Sequence, residues 1–138
     1  MIDDLKIKIF ADGADLQSIK TLNTKKYIKG FTTNPSLMKK AGIKDYKDFA
    51  ITLLSEIKDK PISFEVFSDD LAEMEKQAEE IASWGENVNV KIPITNTKKL
   101  PTTELIRKLS SKGITCNITA IFTISQMQDV VEVLDKTT

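Results

Sequence analysis

Histidine is missing from all 138 residues. That removes the commonest metal ligand, the usual partner of a serine or cysteine nucleophile, and the default general base near neutral pH. Cysteine occurs once, as Cys116, which excludes an internal disulfide framework and suits a reducing compartment. With one Cys and no His, a protein-built zinc site is not expected, and no metal or other cofactor is expected. Charge of one sign is not in excess: 20 Lys and Arg face 20 Asp and Glu. Nothing global therefore draws the chain to nucleic acid or to an anionic membrane. The local pairs Lys25-Lys26 and Lys39-Lys40 read as solvated surface. No apolar run approaches the roughly 18–20 residues of a membrane span, and the opening MIDDLKIKIF has no apolar core of the signal-peptide kind. A cytoplasmic location without a membrane or nucleic-acid partner is the expectation. Any chemistry must run on Lys, Asp, Glu, Thr, Ser, Asn and Tyr.

What remains is ordinary material for one soluble domain: 41% of residues are apolar and 29% charged, enough to bury a single core. Short β-rich runs alternate with longer stretches of helical periodicity. Strands are expected at Lys6–Ala11, Tyr27–Thr32, Ile62–Phe67, Val88–Pro93 and Ile114–Thr119, and from the third onward their starts recur every 26 residues, the length of one βα unit. Between them, Tyr46, Phe49, Leu53 and Ile57 fall on one helical face over 45–58, and Leu71, Met74, Ala78 and Ile81 do so over 69–84. Segments 101–112 (Leu105, Ile106, Leu109) and 125–134 (Met127, Val130, Val131, Leu134) read as further helices, and Asp15 can cap a short one holding Leu16 and Ile19. Strand–helix alternation at this spacing implies parallel strands joined by right-handed crossovers. An open nucleotide-binding sheet should show a glycine-rich turn after its first strand. The turn here is the acidic Ala11-Asp12-Gly13-Ala14-Asp15, which favours a parallel (β/α) barrel of the TIM type.

Alternate strand residues point to opposite faces. Val88, Val90, Ile92 and Ile94 share one face while Asn89 and Lys91 take the other. Ile62, Phe64 and Val66 oppose Ser63 and Glu65; Ile114, Cys116, Ile118 and Ala120 oppose Thr115, Asn117 and Thr119. In a barrel the apolar face meets the helix layer, so the polar face lies toward the axis. Lys91, Glu65, Asn117 and Thr119 are then expected near the strand C-termini, where barrel active sites lie. The first strand delivers Asp12 there, and the second Thr33 and Asn34.

A mid-strand lysine flanked by Val90 and Ile92 is the sharpest feature. Its bland reading is a solvated guard on an edge strand; its sharper one is a partly desolvated amine able to attack a carbonyl. Alone, Glu65 is a surface acid, Asp12 a turn or capping residue, Asn34-Pro35 a turn pair, and Asn117 and Thr119 ordinary polar residues. Placement together at strand ends raises them as a group.

In order along the chain, IFADGAD (9–15), GFTTNPSLMKKAG (30–42), ISFEVFSDD (62–70), VNVKIPIT (88–95) and GITCNITAIFT (113–123) resemble the transaldolase family. The resemblance implies a (β/α)₈ barrel and a cofactor-free, class I transferase of carbohydrate metabolism, placed in the pentose phosphate pathway. Lys91 matches the lysine that forms a Schiff base with a ketose phosphate, and the dihydroxyacetone unit then passes to an aldose phosphate. Asp12 matches the acid/base at the hydroxyl that loses its proton, and Glu65 with Thr119 the pair that orients a water. Asn34, Thr33 and Asn117 match substrate-binding positions. Sugar phosphates are the implied partners, with a homo-oligomer expected. Glutamate at position 65 favours group transfer, since related fructose 6-phosphate aldolases tend to carry glutamine there.

The sequence departs from the family at Gly13, where a hydroxyl residue is common, and at Ile124-Ser125 after IFT. The domain, 1–138, is expected to hold only about five of the eight βα units, truncated before strands six to eight. The serine–arginine phosphate grip of the sixth strand has no counterpart, for Arg107 sits in a helix pattern.

Overall fold

The computed structural model describes residues 5–137; Met1–Asp4, part of the opening segment read for a signal peptide, lie outside them. Strands and helices alternate in the order β1 (Ile9–Asp12), α1 (Leu16–Asn23), β2 (Ile28–Thr32), α2 (Pro35–Lys40), α3 (Tyr46–Glu56), β3 (Ile62–Glu65), α4 (Leu71–Ala82), β4 (Val88–Pro93), α5 (Thr103–Ser111), β5 (Cys116–Thr119), α6 (Ile124–Val133). Each strand pairs in parallel with a neighbour, as the strand–helix rhythm of the sequence requires. The chain divides into two compact units, residues 5–64 with 84–88 and residues 65–83 with 89–137.

In the first unit β1 pairs with β2 and β2 with β3. Asp15 caps α1 by accepting the Ser18 N–H at 2.7 Å, as its position before an apolar-periodic run foretells. Phe31, Leu53, Ile57, Ile62 and Phe64 are fully buried, each contributing about 1.5–3 kcal/mol of apolar burial. Tyr46, Phe64 and Trp84 meet edge to face, at centroid distances of 6.2, 5.4 and 5.8 Å. Gly30 is needed for close approach: a Cβ there would lie 2.2 Å from Phe10 Cε1.

The second unit packs α4, α5 and α6 with β4 and β5. Met74, Ala78 and Ile81 bury one stripe of α4, and Leu105, Ile106 and Leu109 one stripe of α5. Glu75 of α4 pairs with Lys108 of α5 at 2.5 Å, and Lys112 reaches both Glu75 and Glu79. β4 alternates buried and half-buried residues throughout, matching its sequence pattern.

Several boundaries differ from the sequence reading, each for a local reason. β1 starts at Ile9, three residues later than expected, and Ile7 is 69% exposed. β3 stops at Glu65 because the N–H groups of Phe67 and Ser68 turn to Gln77 Oε1, both at 3.0 Å. β5 starts at Cys116, since the Ile114 N–H closes the end of α5 on the Leu109 carbonyl. α2 has no counterpart in the sequence reading: Asn34-Pro35 reads as a turn, yet Asn34 is an N-cap and Pro35 opens the helix. In α6 the buried residues are Val130 and Val133, while Val131 is 67% exposed, so its packed stripe is rotated from the one expected. The apolar face assigned to β5 is not sealed either, for all four of its residues are half-buried.

Candidate functional site

β4 carries Lys91 between Val90 and Ile92, both fully buried on the opposite face. The pleat therefore fixes the lysine on the polar face. The flanking apolar pair sets the strand's orientation, because turning it over would put two β-branched side chains into water. Lys91 is not a solvated edge guard: its side chain is 14% exposed and β4 pairs with β5 from Val90 to Pro93. Glu65, at the end of β3, stands beside it with a side chain 20% exposed and Oε2 3.4 Å from Nζ. The Val66 N–H donates to the Lys91 carbonyl at 3.1 Å, so the backbone fixes this pairing as well as the side chains. Amine and carboxylate thus share a partly water-excluded setting in which charge interactions exceed their value in bulk solvent.

On the other side of Lys91, Asn117 is its register partner in β5, and Thr119 is the partner of Pro93 two residues farther on. Register partners in parallel strands present side chains to the same face, so Asn117 and Thr119 line the Lys91 face in the order expected from the sequence. Just past Thr119, Ala120 holds φ at 60°, a left-handed conformation costing a non-glycine residue about 1 kcal/mol. Cys116 is a poor thiolate: burial pushes its pKa up to about 11.

In the first unit, Asp12 ends β1 in an exposed position and accepts a hydrogen bond from the Thr32 hydroxyl at 2.7 Å. Thr32 is its register partner on β2, which fixes the carboxylate's direction. Thr33 is only 1% exposed, and its N–H donates to the Ser63 carbonyl at 3.1 Å. Its Oγ1 is buried without a hydrogen-bond partner among the described residues, so the hydroxyl of this residue, expected from the sequence at a substrate-binding position, is sealed from solvent. Asn34 is half-buried and commits its Oδ1 to the Leu37 N–H at 3.0 Å, capping α2.

The structure thus brings Lys91, Glu65, Asn117 and Thr119 together in one unit and holds Asp12, Thr33 and Asn34 in the other. A groove of about 600 Å³ beside Leu54 and Trp84, and one of about 250 Å³ between α4 and α5, contain none of these seven residues. Sequence reasoning missed Thr32, Gln77 and the cluster Asp69, Asn96 and Thr97, whose carboxylate, amide and hydroxyl bond across two loops. Only Thr32 carried a sequence signal, as its strand position next to Thr33-Asn34 matches that of Asp12.

Among known proteins, residues 9–137 match the family described as Transaldolase/Fructose-6-phosphate aldolase. A probable transaldolase of Dehalococcoides mccartyi is 40% identical over 120 residues, 87% of this chain and 54% of that protein. One of Streptococcus equi subsp. zooepidemicus is 42% identical over 122 residues, covering 87% and 53%, and one of Methanococcus maripaludis is 39% identical over 120 residues, again 87% and 53%. The chain spans about half the length of the curated relatives it matches.

Proposed function

This chain belongs to the transaldolase/fructose-6-phosphate aldolase family, and on that premise we propose that Lys91 is the amine that forms a Schiff base with a ketose phosphate. The observation that carries the reading is the Lys91–Glu65 pair: a strand lysine held away from bulk water, with a carboxylate 3.4 Å from its Nζ. A lysine in such a place is expensive without a use.

The amine nitrogen adds to the ketose carbonyl, and its proton passes to the carbonyl oxygen to give a carbinolamine. Loss of water leaves an imine, with Glu65 and Thr119 assigned the water that shuttles these protons. A base takes the proton of the hydroxyl on the carbon beyond the bond to be cut, and the role is given to Asp12. The carbon–carbon bond then breaks, its electron pair moving into the imine to form an enamine while an aldose phosphate departs. The retained dihydroxyacetone unit adds to the aldehyde carbon of a second aldose phosphate, and hydrolysis frees the product ketose and Lys91. General acid–base groups of this kind contribute about 10²–10⁴-fold each. Asn117 is assigned to hydrogen bonding near the imine and Asn34 to the substrate. Thr33 is assigned to the substrate-binding group beside Asn34, although its hydroxyl is enclosed.

In this reading residues 1–138 supply five of the eight units of a (β/α)₈ barrel, and the whole protein acts on sugar phosphates in the cytoplasm as a homo-oligomer of the pentose phosphate pathway. Glutamate at position 65 favours transfer to an acceptor over plain aldol cleavage. Borohydride reduction in the presence of fructose 6-phosphate, followed by peptide mass mapping, tests the reading. A reduced dihydroxyacetone adduct on the peptide bearing Lys91, absent from Lys91→Met, is the expected result. An unlabelled Lys91 beside a labelled relative of full length would defeat it for this chain.

A further inference from the structure

Two loops follow the strands that carry Glu65 and Lys91, and they are bonded to each other. Asp69 Oδ1 accepts the Thr97 N–H at 2.7 Å and Oδ2 accepts the Thr97 hydroxyl at 2.6 Å. The Asn96 Nδ2 donates to the Asp69 backbone carbonyl at 3.1 Å. Asn96 is itself buried, and its Oδ1 accepts the N–H groups of Lys98 and Leu100 at 3.0 and 2.9 Å. The 96–100 segment is thereby wound around one side chain, with Lys99 forced to a φ of 64°. Its far end is stitched back to β4, where the Thr102 hydroxyl donates to the Pro93 carbonyl at 2.6 Å and its N–H to that of Ile94 at 3.0 Å. On the other side, Gln77 of α4 holds the Phe67 and Ser68 N–H groups.

We propose that Asp69 is a positioning residue, which locks the loop after β3 to the loop after β4 and so keeps the Glu65 carboxylate and the Lys91 amine in register. Asp69 lies four residues past Glu65 and Asn96 five past Lys91, so each strand's end is gripped within about two turns of pleat of its functional residue. Reacting groups tolerate little misplacement, as a shift of about 1 Å can cost about 10²-fold in rate. The bonds to the Thr97 hydroxyl and N–H also hold the Asp69 carboxyl below the ordinary carboxylate range, so it stays a double acceptor at every pH at which amine chemistry runs.

The role rests on Lys91 as the reacting amine, but its test needs no sugar. Trace acetylation with acetic anhydride at pH 8, read by peptide mass mapping, compares Lys91 with the exposed Lys58. In Asp69→Ala both ties to Thr97 are lost and only the Asn96 amide on the residue-69 carbonyl still joins the loops. The backbone pairing of Val66 with Lys91 stays, but the Glu65 carboxylate is held less firmly to the amine and Lys91 labelling relative to Lys58 rises about three- to ten-fold. In Asp69→Asn it stays at the parent value, because the amide oxygen accepts the Thr97 N–H and the amide nitrogen donates to the hydroxyl. An unchanged ratio in Asp69→Ala overturns the proposal. Equal rises in Ala and Asn variants also overturn it, since they would mark loss of a charge and not of a tie. A rise shared by all lysines would mean general loosening and would overturn it too. If the Ala/Asn difference holds while ketose trapping fails, Asp69 still ties the two loops beside the Glu65–Lys91 pair and it is the Schiff-base reading that falls.

Discussion

At the scale of single residues, the same polar side chain is expensive or useful according to its partner. Lys91 and Glu65 offset each other's desolvation within one pair, whereas the Thr33 hydroxyl has no partner among the described residues to offset its own. A buried hydroxyl without a partner forfeits its hydrogen bonds to water. Thr33→Val keeps the shape and removes that cost, so the variant should be more stable by about 1–2 kcal/mol, read as a higher midpoint in urea denaturation. A loss of stability of that size would show that the hydroxyl is bonded in solution. The sequence could not have shown this, because TTNP announces a polar strand end and says nothing of which threonine is enclosed.

Among the elements, caps decide where helices begin, and most are legible in the sequence. Asp15, Asp45 and Asp70 each accept an N–H three residues on, and Thr123 closes a full capping box with Gln126. Asn34 reads as a turn residue because α2 is only six residues long, too short to display an apolar stripe, and its Asn-Pro start also suits a turn. Replacing the cap with Asn34→Ala should cost about 1 kcal/mol, and Asn34→Asp should keep the parent stability; thermal melts of the three proteins check this. If the Asn34→Asp variant keeps stability but loses ketose trapping, the amide has a second use beyond the cap. Thr102 precedes α5 without capping it, since its hydroxyl is committed to the Pro93 carbonyl. That bond belongs to the loop after β4, and no local pattern encodes it.

For the molecule as a whole, the pKa shifts bracket a stability plateau. Asp15, Asp69 and Asp135 are held below the ordinary 3.8, chiefly by side-chain hydrogen bonds from Ser18, Thr97 and Thr137. A depressed folded-state pKa gives stability that is present above the unfolded value and lost as pH falls through the folded one. The thiol of Cys116 is raised from 9.0 to about 11 by burial. Its contribution is complete below about 9 and disappears as pH rises toward 11. Stability should therefore be flat through neutrality, falling below about pH 4 and again above about pH 9. Urea midpoints across that range check the curve, and Cys116→Ser should flatten part of the alkaline fall.

The sequence by itself determined the alternation of five strands with helices, the family, and the face on which Lys91 lies. All three follow from period-two and period-3.6 patterns and from motifs contiguous in the chain. It also identified Glu65, Asn117 and Thr119 as companions on that face, because a two-residue period carries from strand to strand. Only the tertiary structure decided that Glu65 sits within ion-pairing distance of Lys91, that Thr33 is enclosed, and that Asp69 grips Thr97 across 28 residues of chain. Those facts depend on the stagger between strands and the path of loops. Each is fixed by packing and by hydrogen bonds between residues far apart in sequence, which leave no periodic trace in the order of amino acids.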